Sequence, residues 1–512
     1  MSAADLAAMG SAFMGAVVSL PALIGLPMLF AKRRGQRRKK RSEEAKEDSQ
    51  LGRFLVGLGL VATSLFLVMG RVAASDGIAS VVALFFLGFA SVGRIISYFS
   101  AAPIEASTPI AAPEPAVEVD AAILELRERD PGFSRVSLLD WTQALYHGAH
   151  GLLGTPGEKD LYPFVDRKIF EALHQENPSG TRLTQIVIGA MTIEEITLGG
   201  DRDGIVIDLE ANYTAERAGQ EPNRLVQHER WQLARAATAQ TPPPARMRVL
   251  SCPSCGAALS VSDLGACTYC SSQLRGGQLQ WVARRRVVVS TEIFSTDGLG
   301  ETVPEEGTQL PTIFDPNLRE ATAELASLHG LPDAAAFGTQ LRDEVVAPVF
   351  KQMYAAWSSR HWNEVRHLLT DRLWESQRAW VDAYTAKGLT NRLADLRINK
   401  IEIVRAERDR DYEAATVRIF ASCCDYTVDK SGETIGGDAK RPRRFSEYWV
   451  FIRAANAKPP AAARAAAQCP NCGAALDKLG ATGVCGYCNA KVTTGDFGWV
   501  LSAIVQDESY RG

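Results

Sequence analysis

The chain has 512 residues, enough for two or three domains, and 46% of them are hydrophobic. A net charge of −3 excludes a broad electrostatic pull toward nucleic acid. Of the ten cysteines, all but Cys423 and Cys424 fall in paired Cys-x-x-Cys motifs, a usage that fits a reducing compartment better than a disulfide framework.

Three apolar stretches open the chain: Ala12 to Ala31, Phe54 to Gly70, and Gly77 to Gly93 continued by Ile95 to Phe99. Each approaches the roughly 20 residues that cross the hydrocarbon core of a bilayer. Residues 1–99 are therefore expected to form a membrane domain, with spans near 12–31, 54–70 and 77–98. A cleaved signal peptide fits the first stretch poorly, because only Asp5 precedes it and a basic block follows. That block, Lys32, Arg33, Arg34, Arg37, Arg38, Lys39, Lys40 and Arg41, puts the first loop in the cytoplasm by the positive-inside rule. The Arg71–Asp76 hairpin returns the chain to the same side. The expectation is a multi-pass inner-membrane protein in contact with lipid, its soluble part in the cytoplasm.

Residues 100–119, with Pro103, Pro109, Pro113 and Pro115 among alanines and acids, cannot bury a core and read as a tether. A short helix over Asp120–Arg129 is followed by Ser134, an N-cap for a helix carrying Leu138, Trp141, Leu145 and Tyr146 on helical spacing. A further helix is expected over Tyr162–Leu173. Strands follow over Thr184–Ile188, Thr192–Leu198, Gly204–Tyr213 and Leu225–Leu233, with a closing strand over Leu279–Ser290. After a linker at residues 293–314 the order recurs. Helices over Thr339–Ser358, kinked at Pro348, and over Trp362–Ala386 lead through a turn at Gly388 into strands over Ala394–Val404, Glu413–Tyr426, Arg444–Ile452 and Trp499–Gln506. Helices first and a meandering sheet after them is an α+β layout.

Between the last two strands of each half lies a cysteine motif. Cys252-Pro253-Ser254-Cys255-Gly256 is answered by Cys267-Thr268-Tyr269-Cys270, and Cys469-Pro470-Asn471-Cys472-Gly473 by Cys485-Gly486-Tyr487-Cys488. Four thiolates suit one tetrahedral zinc and leave it no open position for water, so two structural zinc ions are expected. Redox chemistry, the rival for Cys-x-x-Cys, needs one pair at a helix start. The flanks repeat as well: Glu229-Arg230-Trp231 with Arg235 matches Glu447-Tyr448-Trp449 with Arg453. Cys270 to Trp281 and Cys488 to Trp499 are equally spaced, and each Trp is followed by Val. One domain is thus expected twice: over residues 120–292 with a zinc ribbon at 250–272, and over residues 315–512 with a zinc ribbon at 467–490.

The order of helices, the Gly388-Leu389-Thr390-Asn391-Arg392-Leu393 turn and the Glu447-x-Trp449 strand closing on Trp499-Val500 resemble the Tim44-like domain family. That family includes the matrix-side membrane tether of the mitochondrial protein-import motor, bacterial relatives and a mitochondrial ribosomal cousin. In the first half Gly180-Thr181-Arg182 stands in place of the turn, without its asparagine. The resemblance implies two tandem cone-shaped domains of the nuclear-transport-factor-two-like class, each a curved sheet around helices with an apolar pocket. It also implies a non-catalytic adaptor that holds a protein partner at the membrane, linked to protein translocation or membrane-protein assembly. Membrane spans, a second copy and zinc depart from the mitochondrial pattern, so import itself is not carried over. The alternatives are a small-ligand or enzymatic use of the cone, which requires a polar group inside an apolar pocket, and a ribosome or RNA tether, which requires the basic patches on one surface.

Few other residues carry chemistry. Cys423 and Cys424 alternate faces of a strand, so at least one is expected to be a buried small hydrophobe. All seven histidines, including His147, His150, His361 and His367, are expected at surface or cap positions. Asp208 is expected on the outward side of its strand. No HExxH, GxSxG or Walker-type loop occurs, and no enzyme is expected. The runs Arg284-Arg285-Arg286 and Lys440-Arg441-Pro442-Arg443-Arg444 read as solvated, with at least one arginine of the triplet turned to the other side of its sheet toward an Asp or Glu. Nothing in the residues names the partner or the oligomeric state.

Overall fold

The computed structural model describes residues 117–296, 298–300, 307–457, 468–476 and 479–512. The three expected spans lie outside the described residues. Among the described ones, no helix is long and apolar enough to cross a membrane.

The first half runs α1 (Val117–Arg129), α2 (Arg135–Gly151), α3 (Arg167–Glu176), β1 (Thr181–Thr197), β2 (Arg202–Arg217), β3 (Asn223–Ala236), a short α4 (Pro244–Met247) and, after the first cysteine ribbon, β4 (Val282–Ile293). The second runs α5 (Leu318–Leu328), α6 (Ala334–Gln340), α7 (Ala347–Ser359), α8 (Asp371–Lys387), β5 (Thr390–Arg408), β6 (Tyr412–Val428), β7 (Thr434–Gly437), β8 (Arg443–Ala454) and, after the second ribbon, β9 (Val500–Gln506). The sheets are antiparallel, ordered β1-β2-β3-β4 and β5-β6-β8-β9, with β7 beside β6. This is the expected α+β order, and each ribbon interrupts the last hairpin.

Local chemistry sets these elements. Ser134 caps α2 by accepting a bond from the Ser137 amide, and the helical spacing then turns Leu138, Trp141 and Leu145 into the core. In β2 the alternation buries Ile205, Ile207, Leu209 and Ala211 in that same core. The core of the second half gathers Phe350, Trp357 and Trp362 with Trp374, Trp380 and Trp449. Matching parallel bridges, Val165 to Ala283 and Leu369 to Leu501, tie the entry of α3 and of α8 to the closing strands.

Several boundaries differ from the sequence-based expectation. β1 is one strand, not two, and carries bulges between Thr184 and Val187, Ile188 and Ala190, and Ile193 and Glu195. Each bulge shifts which side chain faces inward, which breaks the alternation that marks a strand. The helix expected from Tyr162 starts at Arg167, where Asp166 accepts from the Lys168 amide; a 3-10 turn over Pro156–Leu161 precedes it. The segment expected as one helix to Ser358 is α6 and α7 joined by a wide turn over Leu341–Val346, with Pro348 in the first turn of α7, where its missing N–H is tolerated. Trp362–Leu368 is a 3-10 turn separated from α8 by Leu369 and Thr370. Helix α1 begins at Val117, inside the expected tether. Residues 307–312 of the expected linker lie on the second sheet, because buried Arg418 donates to the carbonyls of Gly307 and Leu310 while paired with Asp507 at 2.8 Å.

The described residues belong to one compact unit, and charge joins its halves. Asp120 of α1 accepts from Arg135 at 2.6 Å and from Arg405 of β5 at 2.6 and 2.8 Å. Arg248, beside the first ribbon, donates to the Tyr412 hydroxyl and to the carbonyl of Thr494 beside the second. Helix α8 packs against β1, and Phe294 meets Trp380 at 5.1 Å between ring centres.

Candidate metal centres and the buried glutamates

Each ribbon is two tight turns that aim four sulfurs at one point. Cys252 N–H donates to the Ala257 carbonyl at 2.9 Å and Gly256 N–H to the Cys252 carbonyl at 2.8 Å; the second ribbon repeats this with Cys469 to Ala474 at 2.7 Å and Gly473 to Cys469 at 2.8 Å. The turn closes with φ of +76° at Gly256 and +79° at Gly473. Glycine enters that region freely, which is why Gly follows each Cys-Pro-x-Cys. Small antiparallel bridges also correspond: Ser251–Ala258, Val261–Cys267 and Ala266–Gln273 against Gln468–Ala475, Leu479–Cys485 and Val484–Lys491.

The four sulfurs of each ribbon lie within 4.8 Å of one another. Cys252 and Cys270 are 3.7 Å apart, Cys255 and Cys267 3.9 Å, Cys469 and Cys488 3.8 Å, and Cys472 and Cys485 3.9 Å. A disulfide needs about 2.05 Å. A tetrahedron with Zn–S bonds of about 2.3 Å has edges of about 3.8 Å. The donor sets therefore fit zinc, and a shell of four thiolates leaves such an ion structural. In each ribbon burial pushes one thiol up, Cys252 to about 12 and Cys469 to about 11. Ser272 beside Cys270 and Asn471 beside Cys488 lower those two thiols to about 6.

A second constellation repeats inside each half. The Trp231 indole donates to Glu229 at 2.7 Å and the Trp449 indole to Glu447 at 2.9 Å; residues two apart on a strand share a face. A helical tyrosine completes each set, Tyr146 donating to Glu229 at 3.2 Å and Tyr354 to Glu447 at 2.7 Å. In the first half Arg286 of β4 adds a cation, at 2.6 and 3.0 Å from the two Glu229 oxygens, and also bonds Glu176 at 2.7 Å. Burial pushes the Glu229 carboxyl up, but Arg286 outweighs it and holds the group below the usual range. In the second half Glu447 receives only neutral donors, the third being Gln506 at 3.3 Å, and burial holds its carboxyl above the usual range. Beside it lies a cavity of about 10 Å³ lined by Met353, Tyr354, Trp357, Gln377, Leu393, Glu447 and Ile504.

Arg286 is the inward arginine that the alternation required, while Arg284 and Arg285 are exposed. Cys423 joins the core of the second half and Cys424 is buried as well. Asp208 faces away from the first core and is bonded there by His228 Nε2 at 2.8 Å and by Arg230. Two histidines are not at the surface as expected. His150 is buried, stacked on Tyr146 with ring centres 4.0 Å apart, and burial lowers it to about 4; His228 is buried against Asp208. The repeated arginines end in different pairs: Arg235 on Asp130 at 2.7 Å, Arg453 on Glu413 at 2.7 Å. Both tyrosines stood on apolar helix faces in the sequence, and only their equivalent placement before each Glu-x-Trp strand hinted at a partner.

Residues 341–461 match the family model of the Tim44-like domain. The matched segment runs from the wide turn before α7 past the end of β8 and stops short of the second ribbon, so it includes Tyr354, Glu447 and Trp449. No curated protein matches the chain. Among solved structures, an "Ntf2 like protein involved in plasmid conjugation" is similar over 72% of this chain and 94% of its own at 6% identity; its TM-score of 0.16 carries no weight for fold or function.

Proposed function

We propose that the protein is a non-catalytic, membrane-anchored adaptor that holds a protein partner on the cytoplasmic side of the membrane, in protein translocation or membrane-protein assembly. The observation that carries this reading is the Tim44-like match over residues 341–461. The apolar stretches before residue 100 and the basic block between them supply the anchor and its orientation. Two zinc ions, one in each four-cysteine cluster, hold the last hairpin of each half closed. The charged contacts between the halves keep them in one body, which suits a scaffold.

We assign the docking face to an open groove of about 660 Å³ between α5, α6 and β5, lined by Phe314, Leu318, Ile401 and Ile403, with two cations, Arg319 and Arg342, and one acid, Glu402, beside them. Phe314 is 48% exposed. An apolar floor with a net cationic rim suits a polypeptide segment that carries apolar side chains and acids. A nucleic-acid tether is less well supported, because the inward turn of Arg286 leaves the first basic run two exposed arginines.

The test is site-specific photocrosslinking in native membranes, with the photoreactive residue at Phe314 of the full chain and, as control, at Leu124, which is exposed on α1. A discrete polypeptide adduct from Phe314 and none from Leu124 is expected. No adduct, or the same products from both positions, would count against the groove and the adaptor.

A further inference from the structure

Strand β4 leaves one edge of the first sheet open. It ends the order β1-β2-β3-β4, so β3 takes one of its sides. The other side is met at Ala283, whose N–H donates to the Phe164 carbonyl at 2.8 Å and whose carbonyl accepts from the Asp166 N–H at 2.9 Å. From Arg284 to Ile293, no described residue outside β3 makes a backbone-to-backbone hydrogen bond with the strand. We propose that this edge is a homodimer interface, at which β4 of a second copy of the chain adds antiparallel about Val288 and joins the two first-half sheets into one. This goes beyond the adaptor reading and does not depend on it.

The second half shows a closed version of the same edge. Counting from Trp281 and Trp499, Val288 and Val289 stand where the second half has Gln506 and Asp507. Gln506 turns in to donate to Glu447 at 3.3 Å, Asp507 pairs with Arg418 at 2.8 Å, and β9 ends there. β4 has neither polar group, runs on to Ile293, and keeps Val288 and Val289 36% and 47% exposed. Val289 is the extra residue of a bulge, without a partner on β3 where the register shifts between His228 and Glu229. β-branched side chains on an unpaired edge favour the addition of a further strand, and edges that stay single usually carry a charge at such points.

The choice of a second copy rests on the order of charges along β4. Pairing centred on Val288 sets valine against valine from Val287 to Val289, and it sets exposed Arg284 of each copy opposite Glu292 of the other. Opposite charges that face one another across a ladder stabilise it. A centre at Val287 instead puts Arg284 and Arg285 opposite Ser290 and Val289. A centre at Val289 puts Glu292 opposite Arg286, which is already held by Glu229 and Glu176. Of the three registers, the one centred on Val288 alone matches an exposed cation with an acid. A ladder of this length buries less than the ~1,600 Å² of a standard stable complex, so the dimer is weak and depends on concentration.

The test is photocrosslinking of the full chain in native membranes, with the photoreactive residue at Val289 and, as control, at Leu124. An adduct of twice the chain's mass, containing this chain alone by mass spectrometry, is expected from Val289 and not from Leu124. Arg284 is exposed, so Arg284→Glu keeps the fold; it sets acid against acid and lowers the dimer adduct at least about fivefold. Arg284→Glu/Glu292→Arg restores the pairing with its charges exchanged and recovers the adduct. The proposal is overturned by an adduct with a different polypeptide, by none from Val289, or by the same dimer from Leu124. It is overturned equally by a dimer that Arg284→Glu leaves unchanged, or by a double variant that stays as low as the single one.

Discussion

Arg286 and Glu229 meet at 2.6 Å on neighbouring strands of the first half, with side chains 2% and 0% exposed. Removing one partner from such a pair strands the other charge, at a cost of about 3–5 kcal/mol. Arg286→Met should therefore lower unfolding stability by about that amount, and the double variant Glu229→Gln/Arg286→Met should recover most of it. Chemical denaturation of the three proteins checks this. A near-neutral Arg286→Met would mean that Tyr146 and Trp231 suffice to hold the carboxylate.

Metal content should follow the ribbons one by one. The intact chain is expected to carry about two zinc ions, Cys252→Ser/Cys255→Ser about one, and Cys469→Ser/Cys472→Ser about one, by elemental analysis of purified protein. The first ribbon shares Cys252, Cys267 and Leu274 with the main core, whereas the second has its own small cluster of Cys469, Cys485 and Val492. Loss of the first metal should thus lower the melting temperature more than loss of the second. Equal effects would show that the ribbons are energetically independent of the cores.

Asp425 makes stability depend on pH. Burial lifts its carboxyl from 3.8 to about 7, although Asn391 at 2.7 Å and Arg443 at 3.2 Å oppose the shift. The folded-state value lies above the unfolded one, so the contribution is fully present below about pH 4 and is lost as pH rises through about 7. The advantage of wild type over Asp425→Asn should therefore shrink between pH 5 and pH 8, by at least ~2 °C in melting temperature. A gap that widens with pH would reverse the sign assigned to this residue.

The contact between halves is testable by a double-mutant cycle on Asp120 and Arg405. Their two hydrogen bonds, at 2.6 and 2.8 Å, involve a half-buried carboxylate, so a coupling of about 1 kcal/mol is expected in denaturant unfolding. Zero coupling would leave the joining of the halves to their other contacts, among them Arg248, Arg127 with Asp409 at 3.4 Å, Phe294 with Trp380, and α8 against β1.

The parts of this fold that were legible in the sequence are those written in local pattern. Ser134 before an apolar helical face, the alternation of β2, and the doubled Cys-Pro-x-Cys-Gly knuckles each state their geometry within a few residues. Glu229 and Glu447 were visible only as half of a repeat, because their tyrosine partners come from helices far back in the chain. The bulges of β1 erased the alternation that would have marked it as one strand. The burial of His150 was hidden because an aromatic surround of Tyr146, Tyr213 and Trp231 assembles only on folding. At least one arginine of the Arg284–Arg286 triplet was expected to turn inward, but that it is Arg286, and that Ile504 stands opposite Trp449 in its place in the second half, became visible only in the strand register.

The most direct test of the adaptor is a crosslinking pull-down with the full chain from native membranes, run beside Cys469→Ser/Cys472→Ser, with zinc measured on both. The expected result is about two zinc ions on the intact chain and a defined protein partner that is retained by it and lost from the variant. Zinc without any retained protein, or with RNA or a small molecule copurifying in its place, would contradict the adaptor.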